Sequence, residues 1–418
     1  MIKSHYLQSA CKRCCLTLLF LISLTSFNAS SSDFTVDGLS YTFLSLEDLT
    51  CEVSGWDGTG DGKIVVPEMV TFKGRDISII KIGEAFKGSD KLISITMPPS
   101  ILEIAEGAFE DCWLKEVNLS ENLKRIPSKA FKYCTFLKKI TIPSRVKTIN
   151  SCAFQYTGLE EVIFGESLES ISYSAFEKAC LQNVNFTSGI KTIGHLAFYG
   201  CPISNITIPP TIMNIQASAF KHFSTYVYDG PYIDSFKIED SEQPICINGD
   251  YDSIIQARYL YIGRDFIDDS ASDRRYSPLL IRDGGTVELG EQCSSLRVGG
   301  REVILNLENM SLLISHNCTP PIISSMPTSS YLNLEVRVPA EALEAYKQAP
   351  VWKNFWNIKA IEDESGISDI ECDDDDSFQV YDTNGILVDA SCTPEKLQQL
   401  PHGIYIVVKQ DKRMKIKI

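Results

Sequence analysis

Apolar positions recur along this chain in one arrangement: an isoleucine, three variable residues, then Ala-Phe. The copies run Ile104 to Phe109, Ile126 to Phe131, Ile149 to Phe154, Ile171 to Phe176, Ile193 to Phe198 and Ile215 to Phe220. A copy one residue shorter runs from Ile82 to Phe86. The terminal rings therefore fall at Phe86, Phe109, Phe131, Phe154, Phe176, Phe198 and Phe220, a step of 22 or 23 residues. Before each of the last six lies an apolar-polar-apolar triplet: Ile95 to Met97, Val117 to Leu119, Ile140 to Ile142, Val162 to Phe164, Val184 to Phe186 and Ile206 to Ile208. The last triplet member always stands 12 residues before the Phe, so all the slack in length sits between one Phe and the next triplet. A surface turn tolerates length change and a packed coil does not, so the slack marks the turn. A fixed period of this size predicts a solenoid.

Within a strand, alternate side chains point to opposite faces. The outer members of each triplet are large and apolar and are predicted to face the core. The middle members, Thr96, Asn118, Thr141, Ile163, Asn185 and Thr207, then form a row on the other face. Pro98, Pro143 and Pro209 end their strands and turn the chain. One coil buries about six large apolar side chains, too few to order its own backbone, so coils must stack to be stable.

Residues 33–80 read as a cap of β-hairpins and residues 81–228 as the solenoid. Residues 229–361 read as divergent repeats closed by a helical cap, 362–377 as an acidic linker, and 378–418 as a small β-module around the hairpin turn Asn384-Gly385. In the divergent part, Tyr259 to Ile262, Ser295 to Val298 and Val303 to Leu307 look strand-like, and Val336 to Pro339 reads as a last strand. Trp352, Phe355 and Trp356 follow it, either packing the cap or offering a platform for carbohydrate. In the first cap, Asp57, Thr59, Asp61 and Glu68 have the spacing of an EF-hand calcium loop. Pro67 and the run Ile64 to Val66 deny that loop its exiting helix, and the same residues suit a tight turn.

Composition narrows the class. A net charge of −15 argues against nucleic acid or an anionic membrane as partner. Residues 1–30 read as a secretory signal: Lys3, Lys12 and Arg13 precede the short apolar run Leu16 to Leu24, which is too short to span a bilayer. No membrane span is expected in the mature chain. Of 14 cysteines, the eleven beyond this leader are odd in number and lie at repeat-length spacing, which does not make a disulfide framework. Cys112, Cys134 and Cys201 stand three residues after their Phe and Cys180 four after, as expected of small side chains stacked on successive coils.

No catalytic arrangement emerges. The histidines beyond the leader, His195, His222, His316 and His402, are scattered, and His195 is read as a surface residue in the slot that holds Lys129, Cys152 and Ser218 in other coils. No nucleophile has a nearby His, and no glycine-rich loop opens a helix. Neither a cofactor nor a metal is called for. The outward row can hydrogen-bond but hardly ionises, which suits surface contact better than proton transfer. Thr96, Asn118, Thr141, Asn185 and Thr207 are therefore the candidate recognition residues.

The run from Leu137 through Ile140-Thr141-Ile142-Pro143 and Val146 to Ile149 and Ala153-Phe154 resembles the BspA-type leucine-rich repeat of bacterial surface proteins. The resemblance implies a leucine-rich-repeat solenoid that is β-rich, with a parallel sheet on one face and short helical turns opposite. It also implies a non-catalytic, secreted or cell-surface adhesin-like protein of Bacteroidetes, binding host matrix or other cell-surface proteins, for which the outward row of the sheet is the expected recognition face. A glycan-binding accessory protein and a structural surface repeat are the alternatives. The tail is similar to the C-terminal modules that act as type IX sorting signals, although it is shorter.

Overall fold

The computed structural model describes residues 32–216, 218–221, 233–247, 255–266, 279–296, 305–306, 310–323, 328–361, 378–382, 387–392, 396, 404–409 and 412–417. The proposed leader, the acidic run 362–377, His222, His402 and Cys372 lie outside the described residues.

Five of the six triplets supply rungs of parallel ladders, while Val184 to Phe186 forms no strand and its coil pairs with the next through the bridge from Asn183 to Asn205. Lys63–Val65 pairs with Ser94–Thr96 and that strand with Glu116–Asn118, while Lys139–Thr141 pairs with Glu161–Ile163. From Asn205–Ile208 onward a further parallel sheet takes in Ile233–Ile238, Ile255–Arg264, Leu279–Gln292, Met310–Ser315, Glu335–Val338 and Asn357–Ala360. One inward position threads this half: Ile206, Phe236, Leu260, Val287, Leu313, Val336 and Ile358 are successive partners. Alternation places Ile142 and Phe164 in the core, as expected, and Thr141 and Ile163 outside it.

The ladder extends beyond the regular repeats at both ends. Lys63–Val65, which lies ahead of residue 81, already forms a rung. Glu335–Val338 is not the last strand, because Asn357–Ala360 pairs with it after the helix Leu343–Gln348. Trp352 and Phe355 are buried in this last coil, with Tyr346 set edge-on to Trp352, whereas Trp356 is 81% exposed.

A second wall is built by the isoleucines. Arg125–Ile126, Thr148–Ile149, Ser170–Ile171, Thr192–Ile193, Asn214–Ile215 and Cys246–Ile247 stack in parallel, and Glu103–Ile104 pairs with Arg75–Ile82. The residue after each isoleucine donates its N–H to the isoleucine one coil back, as Asn150 does to Ile126 and Ser172 to Ile149. Between Ile104 and Ile126 the ladder breaks, because Pro127 stands in the donor position and has no N–H.

The Ala-Phe wall is closed by single tight turns, in which Ala130 donates to Pro127, Lys132 to Lys129 and Cys134 to Phe131, and it passes through left-handed residues. Lys129, Cys152, Ser174, Leu196 and Ser218, each two before a Phe, have φ between 50° and 58°. Asp111, Tyr133, Tyr156 and Lys178, each two after, have φ between 55° and 63°. Such residues cost about 1–2 kcal/mol each, and the geometry aims their N–H groups at the next coil. Cys152 donates to Tyr173, Phe154 to Ala175 and Tyr156 to Glu177, and the pattern repeats along the wall. The register corrects the expected slot of His195: Leu196 matches Lys129 and Cys152, while the His195 ring stacks on Tyr173 at 5.7 Å.

Inside, the rings of Phe86, Phe109, Phe131, Phe154, Phe176, Phe198 and Phe220 form one column with neighbouring centroids 5.1–5.5 Å apart. A single buried cluster runs from Phe34 to Phe355. Cys112, Cys134 and Cys201 are buried in it as expected, but Cys180 is exposed. The first cap joins Phe34–Val36, Leu39–Ser45 and Thr50–Trp56 as antiparallel neighbours, with Arg75–Ile82 parallel to the third. At the far end Leu387–Cys392, Phe378–Asp382, Ile404–Lys409 and Lys412–Lys417 form an antiparallel sheet. No described strand pairs it with the solenoid.

Candidate functional site

The outward row predicted from the triplets lies on the solvent side of the ladder. Asn118, Thr141, Asn185 and Thr207 are exposed and Thr96 is half-buried. Asn118 donates from Nδ2 to Thr96 Oγ1 at 3.2 Å, so neighbouring coils are linked across the face. Thr141 stands beside Ile163, which is exposed. The second outward position of each strand is charged in this region: Glu116, Lys139 and Glu161 flank the row, and Lys139 pairs with Glu161 at 2.8 Å. The face is therefore more ionic than the middle positions alone suggest.

The row continues where the sequence period fades. Thr207 is followed by Lys237, Tyr261, Glu288, Ile314, Arg337 and Lys359 in successive coils. These residues escape a reading based on the Ala-Phe repeat, because backbone register alone aligns them. The available signal was strand alternation in Tyr259 to Ile262 and in Val336 to Val338, which puts Tyr259, Tyr261 and Arg337 outside.

Here the side chains form a connected group. Glu288 accepts hydrogen bonds from the Tyr259 hydroxyl and from His316 Nε2. Tyr261 donates to Asp240 at 2.6 Å, and Lys237 Nζ lies 5.0 Å from the Tyr261 ring centroid. The His316 hydrogen bond is the main cause holding the Glu288 carboxyl below its usual range, with the Tyr259 hydroxyl adding to it and burial opposing. Burial, and then the carboxylates they donate to, push the Tyr259 and Tyr261 hydroxyls well above the usual phenol range. These shifts favour the ionised Glu288 carboxylate and the protonated tyrosines, the forms in which these hydrogen bonds hold. Further along, Arg337 and Lys359 both pair with Glu335, at 2.7 and 3.3 Å.

The calcium-loop candidates are not arranged as an EF-hand. The loop runs between the strands Thr50–Trp56 and Lys63–Val65, with no helix on either side. Asp57 Oδ1 accepts from the Thr59 N–H and hydroxyl, and Asp61 Oδ1 accepts from the Lys63 N–H, so both carboxylates brace the turn. No group of three or more His, Cys, Asp or Glu side chains placed to hold a metal ion occurs among the described residues.

Six copies of the family described as BspA type leucine rich repeat region match within residues 70–180 and 154–229. The fold is a leucine-rich-repeat solenoid. Its ladder runs on past the matched residues to Ala360. Among solved structures, a leucine-rich repeat protein from Bacteroides capillosus is similar at 29% identity, covering 32% of this chain and 99% of that one, with a TM-score of 0.30. A leucine-rich repeat protein from Bacteroides ovatus is similar at 21% identity over 79% of this chain and 100% of that one, with a TM-score of 0.33. A leucine rich cell surface protein from Faecalibacterium prausnitzii is similar at 16% identity over 83% and 99%, with a TM-score of 0.36. No curated protein matches the chain.

Proposed function

We propose that this leucine-rich-repeat solenoid is a non-catalytic binding protein of the cell surface that holds a protein partner on the outer face of its parallel sheet. The observation that carries the reading is the unbroken partner series from Thr207 to Lys359, with the row from Thr96 to Asn185 ahead of it. A rigid strand array presents hydrogen-bonding, aromatic and charged side chains at a spacing of about 4.8 Å, which suits an extended protein surface. Host extracellular-matrix proteins and the surfaces of other cells are the partners this reading favours.

The test combines capture with surface variants. The chain without its leader is used to capture proteins from matrix extracts, and the captured protein is identified by mass spectrometry and its affinity measured. Asn118→Arg, Thr141→Arg and Asn185→Arg together are expected to abolish capture with the melting curve unchanged. A second set, Lys237→Glu with Tyr261→Ala, asks the same of the ionic half. Capture unaffected by both sets removes the sheet face from consideration.

A further inference from the structure

An open groove of about 590 Å³ lies at the first coils, where the chain enters the sheet strands Lys63–Val65, Ser94–Thr96 and Glu116–Asn118. Its back is an aromatic shelf: Trp113 is 54% and Phe136 44% exposed, with centroids 5.4 Å apart and planes inclined by 50°. Both residues directly precede a buried leucine, Leu114 or Leu137, and are thereby turned outward. The packing does not require aromatics in this slot, since the preceding coil places Lys91 there and the following coil Gly158. Gly158 also ends the shelf, because a Cβ there would lie 2.0 Å from the Thr135 carbonyl oxygen.

The rim is the same Asp57-to-Gly62 turn that the sequence marks out. Gly62 brings it onto the coil edge, receiving the Ile93 N–H at 2.8 Å, and a Cβ on Gly62 would stand 2.2 Å from the Lys91 carbonyl oxygen. Lys91 Nζ ties the turn from the other side at the Gly58 carbonyl, 3.4 Å away. Asp61, Asp90 and Lys115 complete the lining, and all three are exposed.

We propose that this groove binds a neutral hexopyranose unit of a saccharide. A pyranose ring presents a flat patch of C–H groups, which packs on exposed indole and phenyl rings, and a rim of hydroxyls. Carboxylates accept from those hydroxyls and ammonium groups donate to them, and this mixture lines the same groove as the rings. Two carboxylates beside two ammonium groups leave no net local charge to select an ionised sugar, and the protein as a whole carries −15.

Saturation-transfer NMR and calorimetry on the chain without its leader, with gluco-, galacto- and manno-oligosaccharides as probes, test this directly. At least one neutral series is expected to bind saturably, with transfer strongest at the ring C–H protons. Trp113→Ala and Phe136→Ala are each expected to weaken it about tenfold or more, and Asp90→Ala by a smaller factor with the shelf intact. Sulfated or uronic oligosaccharides are expected to bind no better than neutral ones. The proposal fails if no neutral series binds at millimolar concentration, if only acidic sugars bind, or if both aromatic variants bind as the parent does. None of the sheet-face variants replaces a residue that lines this groove, so protein capture and saccharide binding are scored separately.

Discussion

The Cys134 thiol donates to the carbonyl oxygen of Phe109, 3.0 Å away and one coil back. Cys112 makes the same contact to Phe86 and Cys201 to Phe176, so a residue that reads as a small apolar filler is also a hydrogen-bond donor in a dry interior. Thr157 takes the matching position after Phe154 and donates within its own coil, to the Phe154 carbonyl oxygen at 2.9 Å.

Burial pushes the Cys112 thiol up to about 11, and those of Cys134 and Cys201 rise further for the same cause. In the native protein at pH 8 these three are expected to resist iodoacetamide, while exposed Cys180 is modified; peptide mass spectrometry reads the difference. Cys134→Ala removes both the packing and the donor and is expected to cost about 1–2 kcal/mol in urea unfolding.

Ser174 sits left-handed at φ 50°, and its buried hydroxyl has no hydrogen-bond partner among the described residues. Glycine adopts this conformation without strain and carries no hydroxyl to desolvate, which outweighs its greater freedom when unfolded. Ser174→Gly is expected to raise stability by about 1 kcal/mol, seen as a higher urea midpoint. Gly200→Ala, at φ 72° on the same wall, is expected to lower it.

Glu288 gives the pH dependence a sign. Its folded carboxyl titrates below its ordinary range, chiefly because of the His316 hydrogen bond, so it lends stability that is fully present above the unfolded value of about 4.3. That stability is lost as pH falls through the lower folded value. Glu288→Gln is expected to lower the melting temperature by about 2–4 °C at pH 7, with the gap to the parent closing in acid; melting curves from pH 3 to 7 check this.

The regular coils were legible because each must fill the same cross-section. Ile142 and Phe164 inside, Thr141 outside and Phe154 in the ring column all follow from spacing and alternation. The strands from Ile255 to Ala360 were harder to place, because a parallel ladder asks only for an apolar inward residue and leaves the rest of the coil free to vary. Lys63–Val65 lacks the signature of a repeat for a related reason: no Ala-Phe pair follows it at the fixed distance. The left-handed wall did leave a trace, in Gly88 and Gly200 two residues after a Phe and Gly107 two before, but most coils fill those positions with ordinary residues. The Glu288 group and the Trp113 groove join residues from several coils, and only the strand register brings them together.

From Phe109 to Phe198 the amide of the Phe finds the Ala of the next coil, as Phe131 finds Ala153 and Phe154 finds Ala175. The junctions from Phe109 to Phe198 therefore share one kind of backbone hydrogen bond. Excising residues 132–154 would join Phe131 to Gln155 and shorten the molecule by a single step of about 4.8 Å without altering any other junction. Reach is set by copy number, so the span of the protein can be lengthened or trimmed by duplicating or losing whole units of gene sequence.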